Sequence, residues 1–203
     1  MASEQDPVTN RWGHVAAVWG DITLIWGGYF PDDISLANCD PCEVYCHQDG
    51  VWISKTTHGE VPPVTINGVG EVVGDYFYVL CLWDTILDIE RTNEIHRLDL
   101  HTWEWSKLNP RGTKPLKSAD LASWVSGENI FLFGGFTQSE LDADASYPPT
   151  LEVQFEQCNQ LVYYNCRDNS WNWPIASGQA PSPRSGHAAF SVSGLYMDPE
   201  CGK

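Results

Sequence analysis

Leu161–His187 reads LVYYNCRDNSWNWPIASGQAPSPRSGH and holds, in one piece, a frame that the rest of the chain repeats. Tyr164 stands seven residues before Trp171, and Trp171 seven before Gly178, which opens a Gly-x-x-Pro turn running on to Arg184-Ser185-Gly186-His187. Leu98, Trp105 and Gly112 keep the same steps, as do Tyr45, Trp52 and Gly59. Ahead of the first and last tryptophan of the frame, a hydrophobic run closes on paired glycines, Gly27-Gly28 and Gly134-Gly135. The middle copy reads Tyr78-Val79-Leu80-Cys81-Leu82 and lacks them. Tandem self-similarity at a period of about 50 residues implies an array of small units, each burying its apolar face against the next.

The units read as antiparallel sheet. Val15–Trp19, Ile22–Trp26, Tyr76–Leu80 and Ile130–Phe133 are short β-branched and aromatic runs. They are too brief for helices and are bounded by turn formers. Gly20-Asp21, Gly74-Asp75 and Gly127-Glu128 lie between such runs as hairpin signals. Paired glycines ending an inner strand let neighbouring backbones approach and turn where a side chain would clash. Cys81-Leu82 in their place predicts a locally altered inner strand in the second unit.

This pattern resembles the kelch repeat, over roughly residues 11 to 190. The resemblance implies an all-β, incomplete kelch β-propeller of about three four-stranded blades plus the first strand of a fourth. Its blades span about 11–58, 59–111 and 112–177, with the partial fourth at 178–192. Residues 1–10 read as a disordered leader and 193–203 as an irregular tail. Gly27, Gly28, Tyr45, Trp52, Leu98, Trp105, Gly134, Gly135, Tyr164 and Trp171 are the structural residues of the repeat. A closed propeller takes about four to eight blades, so the expectation is a truncated product, splice form or gene-model fragment with open edges at both ends.

Composition narrows the function. Among 203 residues, 11 Lys and Arg stand against 27 Asp and Glu, a formal charge of −16 that repels nucleic acid and anionic membranes. A uniformly acidic surface that keeps the protein soluble accounts for this, and so does an acidic groove for basic partners. Seven cysteines without disulfide-like spacing, no Asn-x-Ser/Thr acceptor, no apolar leader and no membrane-length apolar run point to the cytoplasm or nucleus. Cys39-x-x-Cys42 with Cys46 and His47 offers zinc-type ligands, but adjacent residues of a strand point to opposite faces, so free thiols are expected and no metal. Gly68-Val-Gly-Glu-Val-Val-Gly74 superficially looks like a dinucleotide fingerprint, yet it leads into a strand and not a helix. No Gly-x-Ser-x-Gly, His-Glu-x-x-His or Walker loop occurs, and His14 and His187 recur at equivalent repeat positions as structural histidines. No enzyme, catalytic residue or cofactor is expected. The third unit carries a 13-residue excess, with Glu140, Asp142, Asp144, Glu152 and Glu156 clustered between Phe136 and Asn159. A loop of that kind is either a binding element or a plain insertion.

Arg11-x-Gly-His14, Trp26-Gly-Gly-Tyr29, Gly59-Glu-Val-Pro-Pro63, Lys117–Trp124 and Ala180-Pro-Ser-Pro-Arg184 are similar to the first blades of kelch-domain substrate receptors of cullin-RING ubiquitin ligases. That resemblance implies a protein or peptide partner, with C-terminal degrons captured in a six-bladed ring and cullin-RING components engaged only by a full-length form. Lys117, Trp124 and Phe136 are the pocket residues it offers. The chain departs from the group at Asp120 (a lysine expected), Phe136 (a tyrosine) and Cys158 (a tryptophan). The alternative is a folding-impaired kelch fragment or isoform without independent activity.

Overall fold

The computed structural model describes residues 11–29, 43–48, 50–63, 68–81, 94–138 and 155–191. These residues hold strands and turns with no helix among them. Gly20-Asp21 turns β1 (Trp12–Trp19) into β2 (Ile22–Tyr29), and β3 (Glu43–Gln48) and β4 (Val51–Thr56) complete the first antiparallel meander. The second contains β5 (His58–Gly59), β6 (Val69–Val73), β7 (Tyr76–Cys81), β8 (Glu94–Asp99) and β9 (Glu104–Leu108), ordered β5-β9-β8-β7-β6. Seven short strands follow: β10 (Ser118–Ala119), β11 (Ala122–Ser126), β12 (Asn129–Phe133), β13 (Phe136–Gln138), β14 (Phe155–Gln157), β15 (Leu161–Asn165) and β16 (Ser170–Asn172). Of these, β11-β12-β15-β16 form the third meander, and β10-β13-β14 a separate three-stranded sheet. The described residues thus form three propeller blades, whose innermost strands, β1, β6 and β11, stand side by side.

Two aromatic cores glue the blades face to face. Leu24, Trp26, Val44 and Cys46 of blade one pack on Phe77, Val79, Leu98 and Trp105 of blade two. Strand alternation sends Tyr78, Leu80 and Ile95 out of blade two's other face, onto Ile130, Leu132, Val162, Tyr164 and Trp171 of blade three. Trp105 has ring centroids of Trp26 and Phe77 at 5.8 and 6.1 Å, and its indole donates to Thr57 Oγ1 at 2.9 Å. Trp171 lies 5.5 Å from Tyr164 in the matching place, but its indole N–H is buried without a hydrogen-bond partner among the described residues. Gly70 belongs to this packing: a Cβ there would sit 2.8 Å from Val15, so the glycine-rich run brings β6 against β1.

Three features go beyond four strands per blade. In blades two and three, Leu98 pairs with Trp105 and Tyr164 with Trp171, each hairpin turning over four residues. In blade one Gln48 already pairs with Val51, so Tyr45 meets Ser54 and Trp52 meets His47. Trp52 therefore stands where Trp105 and Trp171 stand, one pair in from the turn, with His47 and not Tyr45 opposite it, half-buried against His47 at 4.7 Å. The segments joining blades form the second feature: β5 runs parallel to β9 on its outer edge, and Arg111 bridges Ser170 in the same way. The third concerns the paired glycines. Both lie on the second strand of a blade, where Gly27-Gly28 continue β2 while Gly134-Gly135 separate β12 from β13. The alteration expected beyond Cys81, the leader and the tail fall outside the described residues.

Candidate interaction surface

The bend at Gly134-Gly135 raises the three-stranded sheet off the end of blade three, and the segment Arg184–His187 is laid against it. Gly135 N–H donates to Arg184 O at 2.8 Å, Arg184 N–H to Cys158 O at 3.1 Å and Gly186 N–H to Asp120 O at 2.9 Å. Gly135 leaves no room for a Cβ, which would lie 2.8 Å from Ala119 O. Beneath the sheet, Gln160 Nε2 donates to the buried Ser118 Oγ at 2.9 Å, Ser118 Oγ to Leu116 O at 3.2 Å, and Cys158 Sγ to Gly134 O at 3.0 Å. Cys158 thus takes a structural hydrogen-bonding place. The outer surface carries exposed Lys117, and Gln157, whose amide donates to Ser185 Oγ at 3.2 Å.

Of the three pocket residues expected from sequence, the sheet brings two together. Phe136 is paired with Ala119, and Lys117 immediately precedes β10. Trp124 lies on another sheet, β11, where it stacks on Phe131 at 5.3 Å and 8°. Asp120 adopts φ +51, as Gly13 and Gly186 do at +68 and +62. Since Ala122 pairs with Phe133 as Val15 pairs with Trp26, Asp120 fills the repeat's left-handed position. Sequence reasoning missed Arg184 and Ser185 as parts of this rim, although the match of Arg184-Ser-Gly-His187 to Arg11-Trp-Gly-His14 was its signal.

Elsewhere, Cys46 faces blade two inside the first core while His47 packs on Trp52 across the sheet. Cys39 and Cys42 lie outside the described residues, as do residues 139–154 of the acidic insert. Among the described residues no group of three or more His, Cys, Asp or Glu is placed to hold a metal ion. Cys46, Cys158 and Cys166 are free thiols, and burial pushes Cys46 up and Cys166 to about 11, which leaves both poor nucleophiles.

Residues 1–135 match the model of the KLHDC2/KLHL20/DRC7 Kelch-repeats domain. The chain belongs to that kelch family. Kelch domain-containing protein 2 of Homo sapiens is 27% identical over 198 residues, covering 90% of this chain and 48% of that protein. Kelch domain-containing protein 3 of Bos taurus is 24% identical over 189 residues, 92% of this chain and 46% of the relative. Host cell factor 2 of Homo sapiens is 25% identical over 159 residues, 74% of this chain and 19% of the relative. The kelch chain described here spans about half the length of the Kelch domain-containing relatives it matches.

Proposed function

We propose that this kelch chain is a non-enzymatic protein-interaction module, working in the cytoplasm or nucleus. It would serve as the substrate-recognition part of a cullin-RING ubiquitin-ligase receptor. The observation that carries the reading is the three-stranded sheet on blade three. Backbone hydrogen bonds fix its position, it presents Lys117 at its edge, and residues 139–154 of the acidic insert join β13 to β14 in the sequence. A rigid scaffold holding the ends of a long connection is the arrangement from which propellers bind peptides. Lys117 and the polar groups of the Arg184-Ser185 turn offer a carboxylate charge-assisted hydrogen bonds, and Phe136 supplies an apolar wall. A peptide C-terminus ending in glycine, small enough to lie against that wall, is the ligand this chemistry fits.

Fluorescence anisotropy with a labelled peptide ending in Gly-Gly-COOH tests it, with the same peptide amidated as control. Expected are saturable binding of the acid and at least tenfold weaker binding both of the amide and by Lys117→Glu. Equal binding of acid and amide would refute carboxylate recognition. Recovery of elongin and cullin subunits with the tagged chain from cells tests the assembly; recovery of chaperones alone would favour the folding-impaired alternative.

A further inference from the structure

The connections that leave the three blades share a count. Gly59 (φ +87), Gly112 (φ +88) and Gly178 (φ +87) open them, and the first two lie against the carbonyls of Trp105 and Trp171, latching the outer strand of the blade that follows. A proline stands three residues on in each connection, Pro62, Pro115 and Pro181. The next position holds Pro63, Leu116 and Ser182, and Ser182 is followed by Pro183 and Arg184. Of the 13 prolines in the chain, Pro183 alone follows a serine or threonine.

Ser182 and Pro183 are exposed among the described residues. Their exposure belongs to the connection and not to what comes after it, as the copy between blades two and three demonstrates. There the blade that follows is in place, yet Leu116 is still 50% exposed and Lys117 is exposed as well. The local fold is the same at both places: Ser118 Oγ donates to Leu116 O at 3.2 Å, and Arg184 Nε donates to Ser182 O at 3.0 Å. Pro181 and Pro183 hold Ala180 and Ser182 to extended backbone and withhold two N–H donors, so no strand claims the stretch.

Among the described residues, the hydrogen bonds that reach Ser182 come from Arg184 alone, whose Nη2 also donates to Ser182 Oγ at 3.1 Å. The exposed guanidinium belongs to no ion pair among the described residues. Its backbone, by contrast, is anchored: Arg184 N–H donates to Cys158 O, and Arg184 O accepts from Gly135 N–H. An oxyanion built on Ser182 Oγ would therefore meet a cation already aimed at it and fixed at its root.

We propose that Ser182 is a phosphorylation site for a proline-directed protein kinase and that Arg184 is the counterion of its phosphate. A kinase of that class selects the fixed φ and missing N–H of the residue after the acceptor. The Ser182 Oγ proton passes to the kinase's base while Oγ bonds to the γ-phosphorus of ATP and the bond to the ADP oxygen breaks. The phosphate carries about −1.5 to −2 at pH 7, so the turn beside the three-stranded sheet changes from cationic to anionic. The assignment stands whether or not that sheet binds a peptide C-terminus.

The folded 203-residue chain, incubated with a mitogen-activated protein kinase and magnesium ATP, is expected to gain the mass of one phosphoryl group, located on Ser182 by fragment sequencing. Ser182→Ala and Pro183→Ala, both at exposed positions, should lose that gain, with circular dichroism to verify that they stay folded. In a phosphorus NMR titration of the modified chain, the second ionisation of the phosphate, ordinarily at about pH 6, should fall at lower pH than in modified Arg184→Gln. No phosphate on Ser182, labelling that survives Pro183→Ala, labelling that requires a denatured chain, or equal ionisation with and without Arg184 would each overturn the proposal.

Discussion

Trp105 and Trp171 hold the same place in successive repeats and are almost equally buried, at 1% and 3% exposure. Replacing either by phenylalanine removes a similar ring area, so the apolar cost of the two changes nearly cancels in the comparison. The indole nitrogens differ. Trp105 Nε1 donates to the buried Thr57 hydroxyl at 2.9 Å, and losing that bond costs about 1 kcal/mol net. Trp171 Nε1 is buried with no acceptor among the described residues, a desolvation penalty of roughly 1–3 kcal/mol that phenylalanine removes. Trp105→Phe is therefore expected to destabilise more than Trp171→Phe, by on the order of 2 kcal/mol. At roughly 2–4 °C per kcal/mol for a chain of this size, the two Tm values separate by about 4–8 °C. Urea unfolding followed by far-ultraviolet circular dichroism avoids the signal change from deleting a tryptophan. Equal midpoints, or a larger loss for Trp171→Phe, would refute the assignment of these two nitrogens and with it the idea that Thr57 ties blade one to blade two.

Gly112→Ala drives a Cβ into the carbonyl of Trp171 and should cost several-fold more in thermal denaturation than Gly20→Ala, where the backbone is also left-handed but the space is open. Asp120→Gly, which relieves a φ of +51, should leave Tm unchanged or raise it slightly, while Asp120→Val lowers it. Burial raises the carboxyl of Glu71 above its usual range, against the pull of its hydrogen bond from Ser123 Oγ at 2.5 Å. The folded state therefore binds that proton more readily than the unfolded chain, and stability falls as pH rises from the ordinary glutamate pKa through the raised one. Glu71→Gln should flatten that slope in denaturant titrations across mildly acidic pH. The carboxyl of Glu94 is partly buried, but its hydrogen bonds to Lys107 and His96 outweigh that and hold it below its usual range. Its contribution is present above the ordinary glutamate pKa and is lost as pH falls through the lowered one, so Glu94→Gln should reduce the acid sensitivity of unfolding.

Much of the fold was legible because the repeat writes it in residues with strong local preferences. Gly20-Asp21, Gly74-Asp75 and Gly127-Glu128 do make the hairpin turns, and the short β-branched and aromatic runs Tyr76–Leu80 and Ile130–Phe133 do lie on strands. Three things were hidden for physical reasons. Constant spacing between Tyr45 and Trp52 could not reveal that a tighter turn puts His47 in place of Tyr45 opposite the tryptophan, because turn length and register are fixed together. The latching of β9 by His58–Gly59 joins residues 46 apart, which no local pattern reports. Asp120 concealed itself as a departure from the family when it was standing in for glycine. At the candidate surface, sequence named Lys117 and Phe136 through resemblance, but the segment that braces them, Arg184–His187, read only as the start of another blade.

The latches also set how the blades come apart. Because Thr57–Glu60 belongs to the connection leaving blade one yet its hydrogen bonds are made to Trp103 and Trp105 of blade two, pulling the two blades apart ruptures backbone bonds as well as wetting a greasy seam. A protease nick between Thr57 and His58 would cut the strap while leaving both sheets intact. Neighbouring blades are thus sewn as well as stacked, and the array should yield as one unit until a stitch is cut.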